Sequence, residues 1–276
     1  MNKKGIDSII KLALDEDIPY GDITSDSIIS KDSFSKAVIL AKEKGILAGI
    51  HVARRVFEDI DNKITFKSFF DDGQSFNKGK QLAMLDGSSI SLLKGERTAL
   101  NFLQRMCGIA TITRKFVKCL EGTKTKILDT RKTTPGLRAL EKYAVKMGGG
   151  INHRLNLSEM VLIKDNHIRL VGSVSKAVTN AREKVKPRIK IEVEATNVEE
   201  VREAIEAKAD IIMLDNMPLE TMKEVVDLVR GRILLEASGN IDLKKAKQIA
   251  ELGIDFISVG HLTHSYSSID ISMEFI

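Results

Sequence analysis

The sequence predicts an α/β protein, with an N-terminal α+β sandwich domain over residues 1–105 and a C-terminal incomplete, open α/β barrel over residues 106–265. The tail 266–276 is expected to join the first domain. Three observations lead there. Strand-like runs separated by Gly and Asp turn signals fill much of the first hundred residues. One long helical stripe follows, and beyond it short apolar runs alternate with helical segments, the pattern of parallel strands joined by crossover helices.

In chain order, Ile6, Ile9, Ile10, Ala13 and Leu14 recur at the three-and-four spacing of an amphipathic helix ending near Asp17. Residues 35–49, 64–70 and 81–93 read as strands, and HVARRVFEDI between the first two reads as a helix. Leu100, Leu103, Met106, Cys107 and Ala110 form the stripe of a helix from Glu96 through Leu120 that links the domains. KILDT, EMVLIK, RIKIEVEA, ADIIMLD, ILLEAS and DFISVG are then the barrel strands. Helical stripes such as Val198, Val201, Ala204 and Ile205 separate them. That makes six or seven units, short of the eight in a closed barrel.

With 276 residues, 43% of them hydrophobic, the chain can bury a large core. A net charge of +5 suits an anionic partner. Nucleic acid fits poorly, because aromatic content is 5%, there is no Trp, and the basic residues are scattered among acids. The charged N-terminus and the lack of any long apolar stretch give no secretory signal or membrane span, so a cytoplasmic location is expected. Cys107 and Cys119, twelve positions apart on one helix, stand about 18 Å from each other, too far to bridge, and read as buried free thiols.

In α/β barrels the reacting groups sit at the C-terminal ends of the strands. Here those ends carry Asp129, Arg131 and Lys132, then Lys164 with Asp165, Asn166 and His167, then Glu194, Asp215, Ser238 with Gly239, and Gly260 with His261. A glycine run, GGGINHR, adds His153 and Arg154. Taken singly, each has a plain explanation. Glu194 or Asp215 could cap a helix, Arg131 or Lys132 could be a solvated charge, and a lone His51 or His167 reads as a satisfied structural residue. Together they are harder to explain so, because gathering unpaired cations costs several kcal/mol each unless anions offset it. Gly239 and Gly260 after the last strands would let backbone N–H groups approach a phosphate, with Ser238 adding a hydroxyl.

At these positions a family resemblance becomes specific. ERTALNFLQRMCGIAT (96–111), DTRKTTPGLRALEKYAVKMGGGINHR (129–154), LIKDNHI (162–168), LDN (214–216), EASGN (236–240) and ISVGHLTHS (257–265) resemble successive signatures of the quinolinate phosphoribosyltransferases. ALDEDIPYGDITSD (13–26) is similar too, so the likeness covers essentially the whole chain. Asn156, Ser158, Glu159 and His261 depart from the usual pattern without removing a charged group. A molybdenum-associated subfamily shares the fold but lacks the NHR and LIKDNH combination present here.

The resemblance implies transfer of phosphoribosyl from phosphoribosyl pyrophosphate to quinolinate, with loss of CO2, in NAD biosynthesis. It implies a homodimer with shared active sites, no nucleic acid or membrane partner, and dependence on Mg2+. By motif, Arg97 from the partner subunit, Arg131, His153 and Arg154 would hold the quinolinate carboxylates. Lys132 and Lys164 would meet substrate or pyrophosphate oxygens, and Glu194 and Asp215 the ribose hydroxyls and the metal. Ser238, Gly239 and Gly260 would hold the 5′-phosphate, and His264 of the VGHLTHS turn counts among the substrate-binding residues. Two rivals stand beside this reading: a Schiff-base aldolase using Lys164, and a basic nucleic-acid-binding protein.

Overall fold

A computed structural model describes residues 3–276, which divide into two compact units. The first comprises the chain to Arg114 together with Thr133–Gly149 and His261–Ile276; the second comprises Lys115–Lys132 and Gly150–Gly260.

The first unit begins with α1 (Lys3–Asp17), which buries Ile6, Ile10 and Leu14 from successive turns. Next comes α2 (Ile23–Ile28), a short helix that the sequence reading did not include; Asp22 caps it by accepting the Thr24 and Ser25 N–H groups. After β1 (Phe34–Ala41) and β2 (Gly45–Ile46), α3 (Ile50–Ile60) turns Val52, Ala53, Val56 and Phe57 inward. Then follow β3 (Thr65–Ser68), β4 (Ser75–Phe76) and β5 (Gln81–Ser88). The expected strand over 81–93 is cut short here, because the chain enters α4 (Ser89–Cys119) directly from β5. Helical spacing accounts for this: Leu92 joins Ala99, Leu103, Met106 and Ala110 on one buried stripe, which a strand could not align. The helix therefore starts seven residues before Glu96 (96 − 89). Of its two free thiols Cys107 is buried as expected, whereas Cys119 at the helix end is only partly so.

The second unit holds β6 (Lys126–Leu128). Then α5 (Arg138–Met147) belongs to the first unit. The second resumes with β7 (Val161–Ile163), α6 (Asp165–Val171), α7 (Val174–Lys184), β8 (Ile191–Ala195), α8 (Val198–Glu206) and β9 (Ile211–Asp215). It closes with α9 (Leu219–Val229), β10 (Leu234–Ser238), α10 (Leu243–Glu251) and β11 (Phe256–Ser258). The first unit then gains α11 (His261–His264) and β12 (Ile271–Phe275).

The first unit's main sheet is antiparallel, in the order β12-β1-β5-β3. The second unit's sheet is parallel, in the order β6-β11-β10-β9-β8-β7, and each of the six apolar runs supplies one strand. Its edges β6 and β7 are not paired with each other, so the barrel is open, with Ile151 adding one parallel bridge to Leu128.

Strand register sorts the second unit's side chains by face. Leu162 pairs with Glu192, Glu194 with Met213, Asp215 with Ser238, and Glu236 with both Met213 and Phe256. Paired residues share a face and alternate residues return to it, so Glu192, Glu194, Asp215, Glu236 and Ser238 lie together on the inner face, with Lys164 following. The opposite face is apolar. Val193, Ala195, Ile212, Leu214, Leu235 and Ala237 are buried there, matching the buried stripes of α8, α9 and α10. Ser173, Asn197 and Asp242 cap α7, α8 and α10 by accepting backbone N–H groups.

Candidate active site

The strand ends of the second unit bring Asp129, Arg131, Lys132, His153, Arg154, Lys164, Glu194, Asp215, Ser238, Gly239 and Gly260 to one edge of a single parallel sheet or to the loops leaving it. Arg97 and His264 belong to the first unit. Arg97 is exposed on α4, and His264 Nδ1 lies 2.6 Å from Ser265 Oγ.

At β6 the fully buried Asp129 fastens the glycine-run loop, accepting the His153 N–H at 2.9 Å while its own N–H meets the Ile151 carbonyl at 3.3 Å. His153 is held at both ring nitrogens. Nδ1 accepts the Arg154 N–H at 2.7 Å, and Nε2 stands 2.9 Å from Glu192 Oε2 and 3.7 Å from Glu236 Oε2. Because Nδ1 accepts, the ring proton is on Nε2 and is donated to Glu192. The Arg154 guanidinium donates to the Met160 carbonyl at 3.0 Å. Burial, and next the Arg131 charge beside it, lower the Arg154 pKa, so two cations stand close in a partly desolvated place. An anion with two carboxylates would relieve that repulsion.

Lys164 Nζ pairs with Glu194 Oε2 at 2.5 Å. Its N–H donates to His167 Nδ1 at 2.9 Å, so His167 holds the start of α6, the structural role expected of a lone histidine. His51 is also structural, its Nδ1 3.0 Å from Asp72 Oδ2 in the first unit. An ion-paired Lys164 suits charge binding, whereas a Schiff-base amine is usually activated by apolar surroundings or a second cation.

At β9 and β10 the two strand ends interlock. Asn216 adopts φ +52°, donates its N–H to the Ser238 carbonyl at 2.9 Å, and donates from Nδ2 to Asp215 Oδ2 at 2.9 Å. Gly239 has φ +100°, and its carbonyl accepts from Lys245 Nζ at 3.2 Å.

Sequence reasoning passed over Glu192 and Glu236. Both are carboxylates set inside apolar runs, and both are buried, at 0% and 1% exposure. Burial raises Glu192 to about 7; burial and then the Glu192 charge raise Glu236 to about 8. Among the described residues, Oε1 of each and Ser258 Oγ are buried with no partner in good hydrogen-bond geometry, although the two glutamates lie against each other and Glu236 lies against Ser258. His153 Nε2 and one oxygen from each glutamate lie within 4.8 Å of one another, a grouping able to hold a divalent ion in place of the hydrogen bond. Glu194 and Asp215, the expected metal pair, lie outside it. They share the inner face on neighbouring strands and offer hard carboxylate oxygens, the donor type that Mg2+ takes alongside substrate phosphates. Asp215 is only half-buried, so the donor chemistry at this pair fits Mg2+.

An open parallel barrel whose strand ends set cations against carboxylates, with glycine turns after the last strands, defines an α/β-barrel enzyme for multiply anionic substrates. Residues 22–107 match the N-terminal domain model of quinolinate phosphoribosyl transferase, and residues 109–274 match its C-terminal domain model. The chain belongs to the quinolinate phosphoribosyltransferase family. A probable carboxylating nicotinate-nucleotide pyrophosphorylase of Bacillus subtilis (strain 168) is 46% identical over 259 residues, spanning 94% of this chain and 89% of that protein. The crystal structure of NadC from Streptococcus pyogenes superposes with a TM-score of 0.96 at 43% identity, covering 100% of this chain and 99% of the other. The nicotinate-nucleotide pyrophosphorylase from Francisella tularensis gives a TM-score of 0.94 at 41% identity, covering 100% and 98%. No helix among the described residues is long and apolar enough to cross a membrane.

Proposed function

We propose that this chain is a carboxylating nicotinate-nucleotide pyrophosphorylase, transferring phosphoribosyl from phosphoribosyl pyrophosphate to quinolinate and releasing pyrophosphate and CO2. The observation that carries the reading is the Arg131 and Arg154 cation pair, on the strand-end edge that also carries Lys164 and the Ser238–Gly239 turn. A dicarboxylate meets the first group, and a phosphorylated sugar spans toward the second.

Transfer requires the pyridine nitrogen to attack the anomeric carbon as the bond to pyrophosphate breaks. Positioning and charge neutralisation are the protein's task, since no covalent enzyme intermediate is needed. Arg131 and Arg154, with Arg97 from the partner subunit of a homodimer, orient the two carboxylates, and His153, whose ring nitrogens meet Glu192 and the Arg154 N–H, contributes to that subsite by holding the Arg154 backbone. Lys132 and Lys164 balance the leaving oxygens. Ser238, Gly239 and Gly260 hold the 5′-phosphate, with His264 assisting. Glu194 and Asp215 meet the ribose hydroxyls and would hold Mg2+, which supplies charge neutralisation at the pyrophosphate. Once glycosylated, the ring nitrogen is positive. The adjacent C–C bond then breaks, CO2 leaves, and the electron pair left on the ring carbon is stabilised by that charge until it takes a proton.

Both substrates are polyanions that bilayers exclude, consistent with a cytoplasmic enzyme. The purified chain incubated with quinolinate, phosphoribosyl pyrophosphate and Mg2+ is expected to form nicotinate mononucleotide. Folded protein that forms none with good substrate would refute the reading.

A further inference from the structure

Glu192 and Glu236 are buried on the second unit's inner face, in contact with each other, and among the described residues neither forms an ion pair with an arginine or lysine, the Arg154 and Lys164 charges acting on Glu192 only from further off. Buried carboxylates cost several kcal/mol when poorly compensated, so their surroundings carry the explanation. What they face is His153: Nε2 is 2.9 Å from Glu192 and 3.7 Å from Glu236. That contact fixes both the ring's orientation and its tautomer. With the proton held on Nε2, Nδ1 is left as an acceptor, and it takes the Arg154 N–H at 2.7 Å. Asp129 secures the same loop from its other side through the His153 N–H at 2.9 Å. A continuous path thus runs from two glutamates on β8 and β10, through one imidazole, to the backbone that carries the Arg154 guanidinium.

We infer that Glu192 and Glu236 are positioning residues for the dicarboxylate substrate, acting through His153 to hold the Arg154 backbone where its guanidinium can receive a carboxylate. The identity of that substrate rests on the function proposed above; the mechanical link from glutamate to Arg154 does not. Glu192 is the direct holder and Glu236 backs it from the neighbouring strand but one.

Kinetics distinguish this role from simple core filling. Glu192→Ala is expected to raise KM for quinolinate roughly tenfold while KM for phosphoribosyl pyrophosphate changes by less than about twofold. Glu192→Gln, whose amide oxygen still accepts the Nε2–H, should recover most of the loss. In a His153→Ala background, adding Glu192→Ala should have almost no further effect, because the link is already cut. If the alanine variant does not fold, Glu192→Met fills the volume without an acceptor and serves the same comparison. Equal rises in both KM values, or full additivity with His153→Ala, would overturn the inference. Hydrogen exchange at the Arg154 amide, measured without substrate, reads the link independently of turnover. It should quicken in Glu192→Ala and stay near wild type in Glu192→Gln; unchanged exchange in both would also overturn it. A wild-type chain that makes no product would sink the proposed function alone.

Discussion

Gly239 and Asn216 compete for one volume: a Cβ placed on Gly239 would lie 2.2 Å from the Asn216 Oδ1. Both residues have positive φ, and Asn216 also holds the Asp215 carboxylate. Gly239→Ala therefore has to displace Asn216 and strain its own backbone at φ +100°. A stability loss exceeding about 1 kcal/mol is expected, as for alanine forced to positive φ. The affinity for phosphoribosyl pyrophosphate should fall more than that for quinolinate. Denaturant titration and the two KM values check this, and an unperturbed variant would show that the turn has slack.

Lys164 is 45% exposed at its side chain, so its ion pair with Glu194 contributes little to stability. Lys164→Ala should leave the melting temperature almost unchanged while turnover drops about a hundredfold, as for loss of a transition-state charge partner. Lys132→Ala, at an exposed loop position, should behave likewise. Near-normal turnover in either variant would return that lysine to the role of a solvated charge.

Stability should fall with rising pH because of Glu236. Its folded pKa is raised from 4.5 to about 8, chiefly by burial, so the native state keeps a proton that the unfolded chain releases. Across the window from about 4.5 to about 8 the folded protein binds more protons, so each step up in pH favours unfolding; above about 8 the effect levels off. Glu236→Gln removes this titration. Relative to wild type, the variant should gain stability as pH rises from about 5 to about 8 by no more than about 1.4 kcal/mol per pH unit. Parallel urea-denaturation profiles would contradict the assignment.

Arg97 tests the proposal that two subunits share each active site. Arg97→Ala and Lys164→Ala homodimers should each be nearly inactive. After equal mixing with random exchange, about half the dimers are mixed, and each carries one site with both residues intact. Activity should return to about a quarter of wild type under twofold symmetry. Mixed dimers proven by mass spectrometry yet without activity would exclude a contribution of Arg97 across the dimer.

The six barrel strands were legible because each is an apolar run ended by a polar residue, and the candidate cations could be collected from those ends without knowing the strand order. The SISLL segment was misread because an apolar cluster of that length has no decisive period; only its burial beside Ala99 and Leu103 settles it as helix. Glu192 escaped notice for another reason. Within KIEVEA, Glu192 and Glu194 look alike in sequence, and they differ in depth: one is fully buried against His153, the other sits a turn of the pleat closer to the strand end with Lys164. Depth along a strand is set by neighbouring strands, which a single sequence does not display. The tail 266–276 was expected beside the first domain, but not as a strand, since ISMEF gains its pairing only from β1, more than two hundred residues away.

That last pairing sets an order on biosynthesis. Ile39 lies opposite Met273, so one edge of the first unit's sheet stays bare until the whole second unit has left the ribosome. The β7-β8-β9-β10 portion of the second unit's parallel sheet can form while the first unit waits for a missing strand. Such distant closure slows folding and prolongs exposure of an open sheet edge. Pulse-labelled hydrogen exchange during refolding should protect β8, β9 and β10 before β1; simultaneous protection would show that the late strand imposes no delay.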